Sequence, residues 1–465
     1  MNFSLRPARK GEIITQISLL RLPVRLLVPL LFGCGVLLSL RCGFPQLRPR
    51  RVLRDLRSAL RHGGEDGGLP PFQAMTTALA GTVGTGNIAG VTGAILLGGP
   101  GAVFWMWVAA FFGMCTKYAE IALALRYRSF GADGLPRGGP MYYIEFGLGP
   151  ALRPLALFFA LGGGLAALGV GNLTQGSEIA GAVHGLTGLP PLLTGLLLSA
   201  VTAAVLFAGA RGVGRATALL VPLMAGLYLL CVLPILALHA AELPALLLRI
   251  VRGAFSARAA GGGLCGSAIR FGFARGLFSN EAGLGSAPMA HASSACGEPR
   301  VQAAWGIFEV FFDSFLVCTA TALVVLLAGP VGGSGADGYG AMAADAFRRL
   351  LPGSETLVCV SLIFFALSSM LAWGRYGELC WSYLLRGKAA AAPLFRLVFV
   401  LVCPLGALWA GQLIWELSDL FNAMMALPNL AALLLLSGRA ASIARAEQAA
   451  PPCAGRAGSD QSWMM

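Results

Sequence analysis

The stretch Ala80-Gly81-Thr82-Val83-Gly84-Thr85-Gly86-Asn87 interrupts one strongly apolar segment, residues 72–96. A second stretch, Arg275-Gly276-Leu277-Phe278-Ser279-Asn280-Glu281-Ala282-Gly283-Leu284-Gly285-Ser286, interrupts another at residues 268–290. Hydrocarbon penalises every backbone N–H or C=O without a partner, so a spanning helix is broken only where the freed groups line a cavity. There the half-helix ends carry partial charge and become sites for ions and polar substrates. Two such breaks, in corresponding positions of two halves, point to a secondary transporter.

Composition supports a polytopic membrane protein. The 465 residues are 57% hydrophobic and only 12% charged, and the mean hydropathy is +0.74. A soluble domain carries about 25% charged residues, so this chain could not cover a soluble surface. The formal net charge of +13 is unevenly spread, with Arg48, Arg50, Arg51, Arg54, Arg57 and Arg61 crowded behind the first apolar segment. That placement is a positive-inside signal, not a nucleic-acid footprint. The 11 cysteines form no C-x-x-C and sit mostly in apolar runs, while the four histidines are scattered, which argues against disulfides and metal clusters.

A ruler of about 20 apolar residues per spanning helix predicts spans at 23–40, 72–96, 101–128, 152–184, 191–209, 216–238, 268–290, 302–328, 354–385, 393–410 and 412–436. Setting the first aside leaves ten of these eleven, and each interrupted helix then opens a set of five. The expected fold is therefore all-α, a five-plus-five inverted repeat preceded by one extra helix, with repeats over 72–238 and 268–436. The arginine distribution favours an N-terminus outside, against the basic tail 1–22. Residues 243–255 read as an amphipathic interfacial helix, 329–352 as an outer loop with a short helix, and 437–465 as a disordered tail.

At the first break, the half-helix starting near Thr85, Gly86 and Asn87 offers free N–H groups to a carboxylate, and the carbonyls of Ala80 and Val83 are hard ligands for a small cation. A glycine zipper for close helix packing explains the same residues equally well. The second break places Ser279, Asn280 and Glu281 at mid-span, where charge costs at least about 2.5 kcal/mol; a re-entrant loop is the alternative. Lys117 with Glu120, and Arg375 with Glu378, are spaced for local pairing, whereas Glu309 and Asp313 are like-charged and need outside partners or a shared proton. Gln175 suits either a polar substrate or a neighbouring helix. Ser368 and Ser369 lie one turn beyond Phe365, so their hydroxyls can join the Phe365, Ala80 and Val83 carbonyls around Na⁺, or simply bond their own helix. Trp373 shares the face of Ser369 and can wall a small pocket.

Several of these runs resemble the alanine/glycine:cation symporter family: Gly84-Thr85-Gly86-Asn87-Ile88-Ala89-Gly90-Val91, Gly99-Pro100-Gly101-Ala102-Val103-Phe104-Trp105-Met106-Trp107, Lys117-Tyr118-Ala119-Glu120, Gly138-Gly139-Pro140-Met141-Tyr142-Tyr143-Ile144-Glu145, the second break through Ala287-Pro288, and Pro428-Asn429. The resemblance spans about residues 23–438. It implies an inner-membrane carrier that moves alanine or glycine with Na⁺ on the fold of the bacterial leucine transporter plus one leading helix. It also implies substrate contacts from Thr85, Gly86, Asn87, Gln175, Phe278, Ser279, Asn280 and Trp373. The sodium ligands it implies are Ala80, Val83, Phe365, Ser368 and Ser369. Ser369 stands where the family pattern has Thr, and Arg375 where it has a neutral residue.

The implied partners are alanine or glycine, Na⁺ and the lipid bilayer, without nucleic acid or any cofactor besides the coupling ion, and the implied state is a monomer. Proton coupling through Glu309, Asp313 or Glu281 is the competing transport reading. An intramembrane enzyme is disfavoured, because the chain has no H-E-x-x-H and no G-x-S-x-G.

Overall fold

The computed structural model describes residues 27–61, 67–131, 134–255, 266–329, 338–409 and 412–446. The N-terminal tail 1–22 lies outside them. The chain is mostly helical, in the order α1 (Leu27–Cys42), α2 (Pro49–Arg61), α3 (Pro71–Thr82), α4 (Ala89–Gly98), α5 (Gly101–Arg126), α6 (Arg153–Leu168), α7 (Gln175–Thr187), α8 (Pro191–Phe207), α9 (Gly209–Leu238) and α10 (Leu243–Ala254). There follow α11 (Ser267–Asn280), α12 (Ala287–His291), α13 (Pro299–Val310), α14 (Thr319–Leu327), α15 (Gly338–Leu350), α16 (Ser354–Leu384), α17 (Ala391–Leu408), α18 (Gln412–Leu435) and α19 (Ser437–Arg445). Wide π-turns at Gly169–Thr174 and Phe311–Cys318 join α6 to α7 and α13 to α14 without ending either rod. The described β-structure is a hairpin of two-residue strands, Ser129–Phe130 against Pro136–Arg137, and an isolated bridge between Leu69 and Ser294.

Among the described residues, seven helices are long and apolar enough to span a bilayer, and eight if α3 and α4 count as one bent span. That pair bends by 56° at its break. The apolar helices α1 and α8 are shorter, and the segment 268–290 is a 14-residue α11, a loop and a five-residue α12. Helix ends follow the apolar runs closely elsewhere; α9, however, begins at Gly209 and so absorbs Arg211 and Arg215, which the hydropathy ruler assigns to a loop.

The expected disordered tail is corrected for its first residues. Ser437–Arg445 is a helix because its polar side chains find backbone partners in the bundle: Arg439 donates to the Gly147 carbonyl at 3.0 Å and Arg445 to the Arg41 carbonyl at 2.5 Å. Ser437 in turn accepts from Arg41 at 2.6 Å. Residues 447–465 lie outside the described part. The helix α2 is tied to α13 by Asp55 and Arg300, 3.3 Å apart and both buried. The long α16 runs through the centre, packing against α3, α6, α7, α9 and α17, and this brings its serines and Trp373 to the two breaks.

Candidate functional site between two interrupted helices

The first break begins where α3 ends. Val83 is extended (φ −81°, ψ 104°), Gly84 is extended too, and a single 3-10 turn, Thr85–Asn87, leads into α4. The Gly84 N–H is not left bare, because it donates to Asn87 Oδ1 at 2.9 Å. The Thr85 and Gly86 N–H groups open the new half-helix and have no intrahelical acceptor by position. Gly86 is half-buried, with no atom within 4 Å of the place a Cβ would take, so open space adjoins these donors.

The second break turns at Glu281, whose φ of 55° is left-handed, and continues through Gly283 (φ 92°) and Gly285 (φ 83°). Side chains are barred at both glycines. A Cβ would meet Leu31 Cδ2 at 2.2 Å from Gly283 and Pro140 Cγ at 2.4 Å from Gly285. A non-glycine residue held left-handed is strained, and such strain concentrates at functional positions. Glu281 is held there by Ser286 Oγ, which donates to its carboxylate at 2.5 Å, and by the Trp373 side chain. Farther along, the amide of Asn429 donates to the Gly283 carbonyl at 2.9 Å and to Glu120 at 2.5 Å, while Tyr143 donates to Asn429.

The two breaks meet at Asp313, in the π-turn after α13. Its carboxylate accepts from Asn87 Nδ2 at 2.6 Å, from Ser279 Oγ at 3.1 Å and from Ser314 Oγ at 2.8 Å. All four side chains are buried. A buried carboxylate needs such compensation, since its desolvation is otherwise too costly. Sequence spacing marked Asp313 as needing an outside partner; it did not reveal that the partners would be one residue from each break.

Glu309 is paired differently: Lys117 Nζ lies 3.1 Å and His291 Nε2 2.6 Å from it. The expected local pair of Lys117 with Glu120 is thus corrected. Both residues are buried, and each turns to a different neighbour across the bundle. Arg375 and Glu378 do pair, at 2.5 Å, and Arg396 joins them at 2.8 Å.

The five expected sodium ligands fall into one neighbourhood. Ser369 Oγ donates to the Ala80 carbonyl at 2.9 Å, across 289 positions of sequence, and stands 2.8 Å from where a Gly84 Cβ would be. Ser368 Oγ donates to its own helix at the Phe365 carbonyl, 2.9 Å away, whereas Ser369 reaches across to α3. Ala80, Val83, Phe365, Ser368 and Ser369 are all buried, and Val83 is the first residue past the end of α3. The set is neutral and oxygen-only, the chemistry of a small monovalent cation. No group of three or more His, Cys, Asp or Glu residues suited to a metal occurs among the described residues.

The expected substrate contacts divide. Asn87 and Ser279 are committed to Asp313, and Asn280 donates to Ser314 at 3.2 Å while accepting from the Ala282 N–H at 3.1 Å. These side chains shape the breaks. Gln175 differs: its Nε2 donates to the Val170 carbonyl at 3.1 Å, but its Oε1 is buried without a partner. Glu178 Oε2 and Ala89 Cβ, on the helices that carry Gln175 and follow Gly86, lie 3.6 and 4.0 Å from where a Gly340 Cβ would be. Trp373 is buried against Tyr376, with ring centroids 5.6 Å apart, and against Gly171, where a Cβ would fall 2.3 Å from its own Cβ. Phe278 is half-buried on α11 beside Ser279.

Interrupted helices that meet at mid-bundle, bridged through a buried carboxylate, define a multi-span membrane transporter. The comparisons carry this further. The family model for the sodium:alanine symporter family matches residues 11–449, and the chain belongs to that family, one of transporters and not enzymes. It is 45% identical over 415 residues, 88% of this chain and 91% of the other, to the sodium/alanine symporter AgcS of Methanococcus maripaludis. It is 35% identical over 413 residues, 88% and 86% of the two chains, to the amino-acid carrier protein AlsT of Bacillus subtilis. Among solved structures, a Na⁺-coupled sialic acid symporter in an outward-open state superposes with a TM-score of 0.55 at 14% identity, covering 88% of this chain and 85% of that one. A manganese transporter of Eremococcus coleocola superposes with a TM-score of 0.53 at 15% identity, covering 80% and 78%. These two likenesses concern the fold alone.

Proposed function

We propose that this protein is a sodium-coupled symporter of small neutral amino acids, alanine and glycine, that works by alternating access as a monomer in the cell's inner membrane. Counting the bent pair, the shorter helices α1 and α8 and the interrupted α11–α12 segment as spans gives eleven, a five-plus-five repeat over 72–238 and 268–436 behind one leading helix. The observation that carries the reading is the contact of Ser369 with the Ala80 carbonyl beside Gly84. It draws a hydroxyl of α16 onto the end of the broken α3, where orphaned carbonyls are available to a cation.

The chain's own groups then divide the work. The carbonyls of Ala80, Val83 and Phe365 and the hydroxyls of Ser368 and Ser369 hold Na⁺. The Thr85 and Gly86 N–H groups receive the carboxylate at the positive end of the second half-helix. Gln175 Oε1, a buried acceptor without a partner, receives the ammonium. Trp373 and Phe278 limit the space beyond Cα, which favours a methyl group or hydrogen there. Sodium and substrate meet at one broken helix, so filling the first site orders the backbone that binds the second. Coupling follows from that shared backbone. Glu309 and Asp313 are engaged as braces by two and three partners respectively, which favours sodium over protons as the coupling ion.

The test is ligand-dependent melting of the detergent-solubilised protein. Alanine and glycine should raise the melting temperature when Na⁺ is present and not when choline replaces it, while leucine should have little effect. Equal stabilisation by alanine in choline would defeat the sodium assignment.

A further inference from the structure

Lys117 is wholly buried in the middle of α5, and its ammonium has three hydrogens to place. Two go to oxygens of the breaks, Thr82 Oγ1 at 2.8 Å and the Asn280 carbonyl at 3.1 Å, and the ammonium forms an ion pair with Glu309 Oε2 at 3.1 Å. Thr82 is the last residue of α3 and Asn280 the last of α11, so the acceptors include the C-terminal end of each interrupted helix. Thr82 Oγ1 itself donates to the Ala78 carbonyl at 2.9 Å, which links the ammonium to the final turn of α3. Each helix end carries about half a negative charge, unscreened in so dry a place.

The rest of the cluster shows that this charge is needed. Ser294 Oγ donates to Gln302 Oε1 at 3.3 Å, which turns Gln302 Nε2 toward His291 Nδ1 at 2.8 Å. In this arrangement His291 accepts at Nδ1 and donates from Nε2 to Glu309 at 2.6 Å. Among the lysines and arginines in the contacts described, Lys117 is the one that faces Glu309, 3.1 Å away.

We infer that Lys117 is a built-in cation, a positioning residue that holds the C-terminal ends of both broken helices where the carrier would otherwise need a second free ion. The three oxygens around its ammonium, one hydroxyl, one carbonyl and one carboxylate, are a hard set that would take Na⁺ if the lysine were removed. This inference rests on the sodium-coupled reading above and deepens it: one mobile sodium at the α3–α16 contact, one fixed ammonium at the α3–α11 contact.

The experiment uses the full chain in proteoliposomes, with alanine uptake followed against external Na⁺ at constant ionic strength in choline. The parent should respond hyperbolically. K117Q should respond sigmoidally, with half-saturating Na⁺ raised about tenfold, equivalent to about 1.4 kcal/mol. K117R, which keeps the charge, should stay hyperbolic although it melts earlier. A merely structural lysine would change melting temperature and leave the shape of the sodium curve alone. Should K117Q resist purification, its recovery from the membrane in Na⁺ and in choline is compared. Survival in Na⁺ only supports the inference; equal loss in both overturns it, as does a hyperbolic K117Q curve. Parent uptake that ignores Na⁺ defeats the proposed function, whereas sodium-dependent parent uptake with an unchanged K117Q curve defeats the Lys117 assignment alone.

Discussion

Replacing Asp313 asks how far the two breaks depend on one carboxylate. Asp313→Ala removes the acceptor for Asn87 Nδ2, Ser279 Oγ and Ser314 Oγ together. The hydroxyls can turn, and Ser279 already has Cys318 Sγ at 3.3 Å. Asn87 keeps only its weaker contacts to Cys318 Sγ at 3.2 Å and the Asp313 carbonyl at 3.5 Å, because flipping its amide would take Oδ1 from the Gly84 N–H and undo the cap of the second half-helix. Losing the charged acceptor of that buried amide costs about 1.5–3 kcal/mol, and the two weakened hydroxyl bonds add about 1 kcal/mol, so the loss is about 2–4 kcal/mol. Because it falls on the backbone that meets the substrate carboxylate, alanine binding should weaken by about 30- to 1000-fold at about 1.4 kcal/mol per decade. Asp313→Asn keeps an oxygen for Asn87 and lets both hydroxyls accept, so it should lose about tenfold or less. Binding of labelled alanine to the purified variants in saturating Na⁺ measures both. An alanine affinity for Asp313→Ala within about threefold of the parent's, well below the 1.4 kcal/mol of a tenfold change, would refute the argument. An Asn variant as impaired as the Ala variant would show that the charge itself takes part and would return proton coupling to the front.

Three further outcomes follow from the same geometry. Ser368→Ala with Ser369→Ala removes two of the five proposed sodium oxygens and should raise half-saturating Na⁺ at least about tenfold in uptake assays while the protein still folds; unchanged sodium dependence would refute the site. Trp373→Ala should admit leucine in competition assays and weaken alanine binding, since the wall between Gly171 and Glu281 is lost; a variant that excludes leucine as firmly as the parent would remove Trp373 from the pocket. Gly84→Ala places a methyl 2.8 Å from Ser369 Oγ and should push α16 from α3, lowering sodium affinity more than alanine affinity measured at saturating Na⁺.

Much of the fold was legible because hydropathy reports directly on lipid. The stretch 354–385 became Ser354–Leu384, 393–410 became Ala391–Leu408, and both interruptions fell where glycine and polar residues broke an apolar run. The amphipathic 243–255 stretch became Leu243–Ala254, and the 329–352 segment holds the short helix Gly338–Leu350. Features set by partners far along the chain were not legible. Lys117 and Glu120 have the spacing of a helix-surface pair, yet a buried helix face presents each to a different neighbour. The π-turns at Gly169–Thr174 and Phe311–Cys318 carry no period of their own, and the second of them aims Asp313 at the breaks. Within the site, residue type announced polarity without orientation. Gln175 Oε1 is buried without a partner, while Asn87 and Asn280, equally polar, are spent on capping their own breaks.

The central claim is that an inward sodium gradient drives a small neutral amino acid through this protein. Its most direct measurement is labelled alanine uptake by proteoliposomes under an inward Na⁺ gradient, with choline as the replacement cation and a protonophore in a parallel sample. The account predicts accumulation above the external concentration with Na⁺, none with choline, and accumulation that persists when the proton gradient is dissipated. Equal accumulation in choline, or accumulation abolished by the protonophore while the sodium gradient stands, would contradict it.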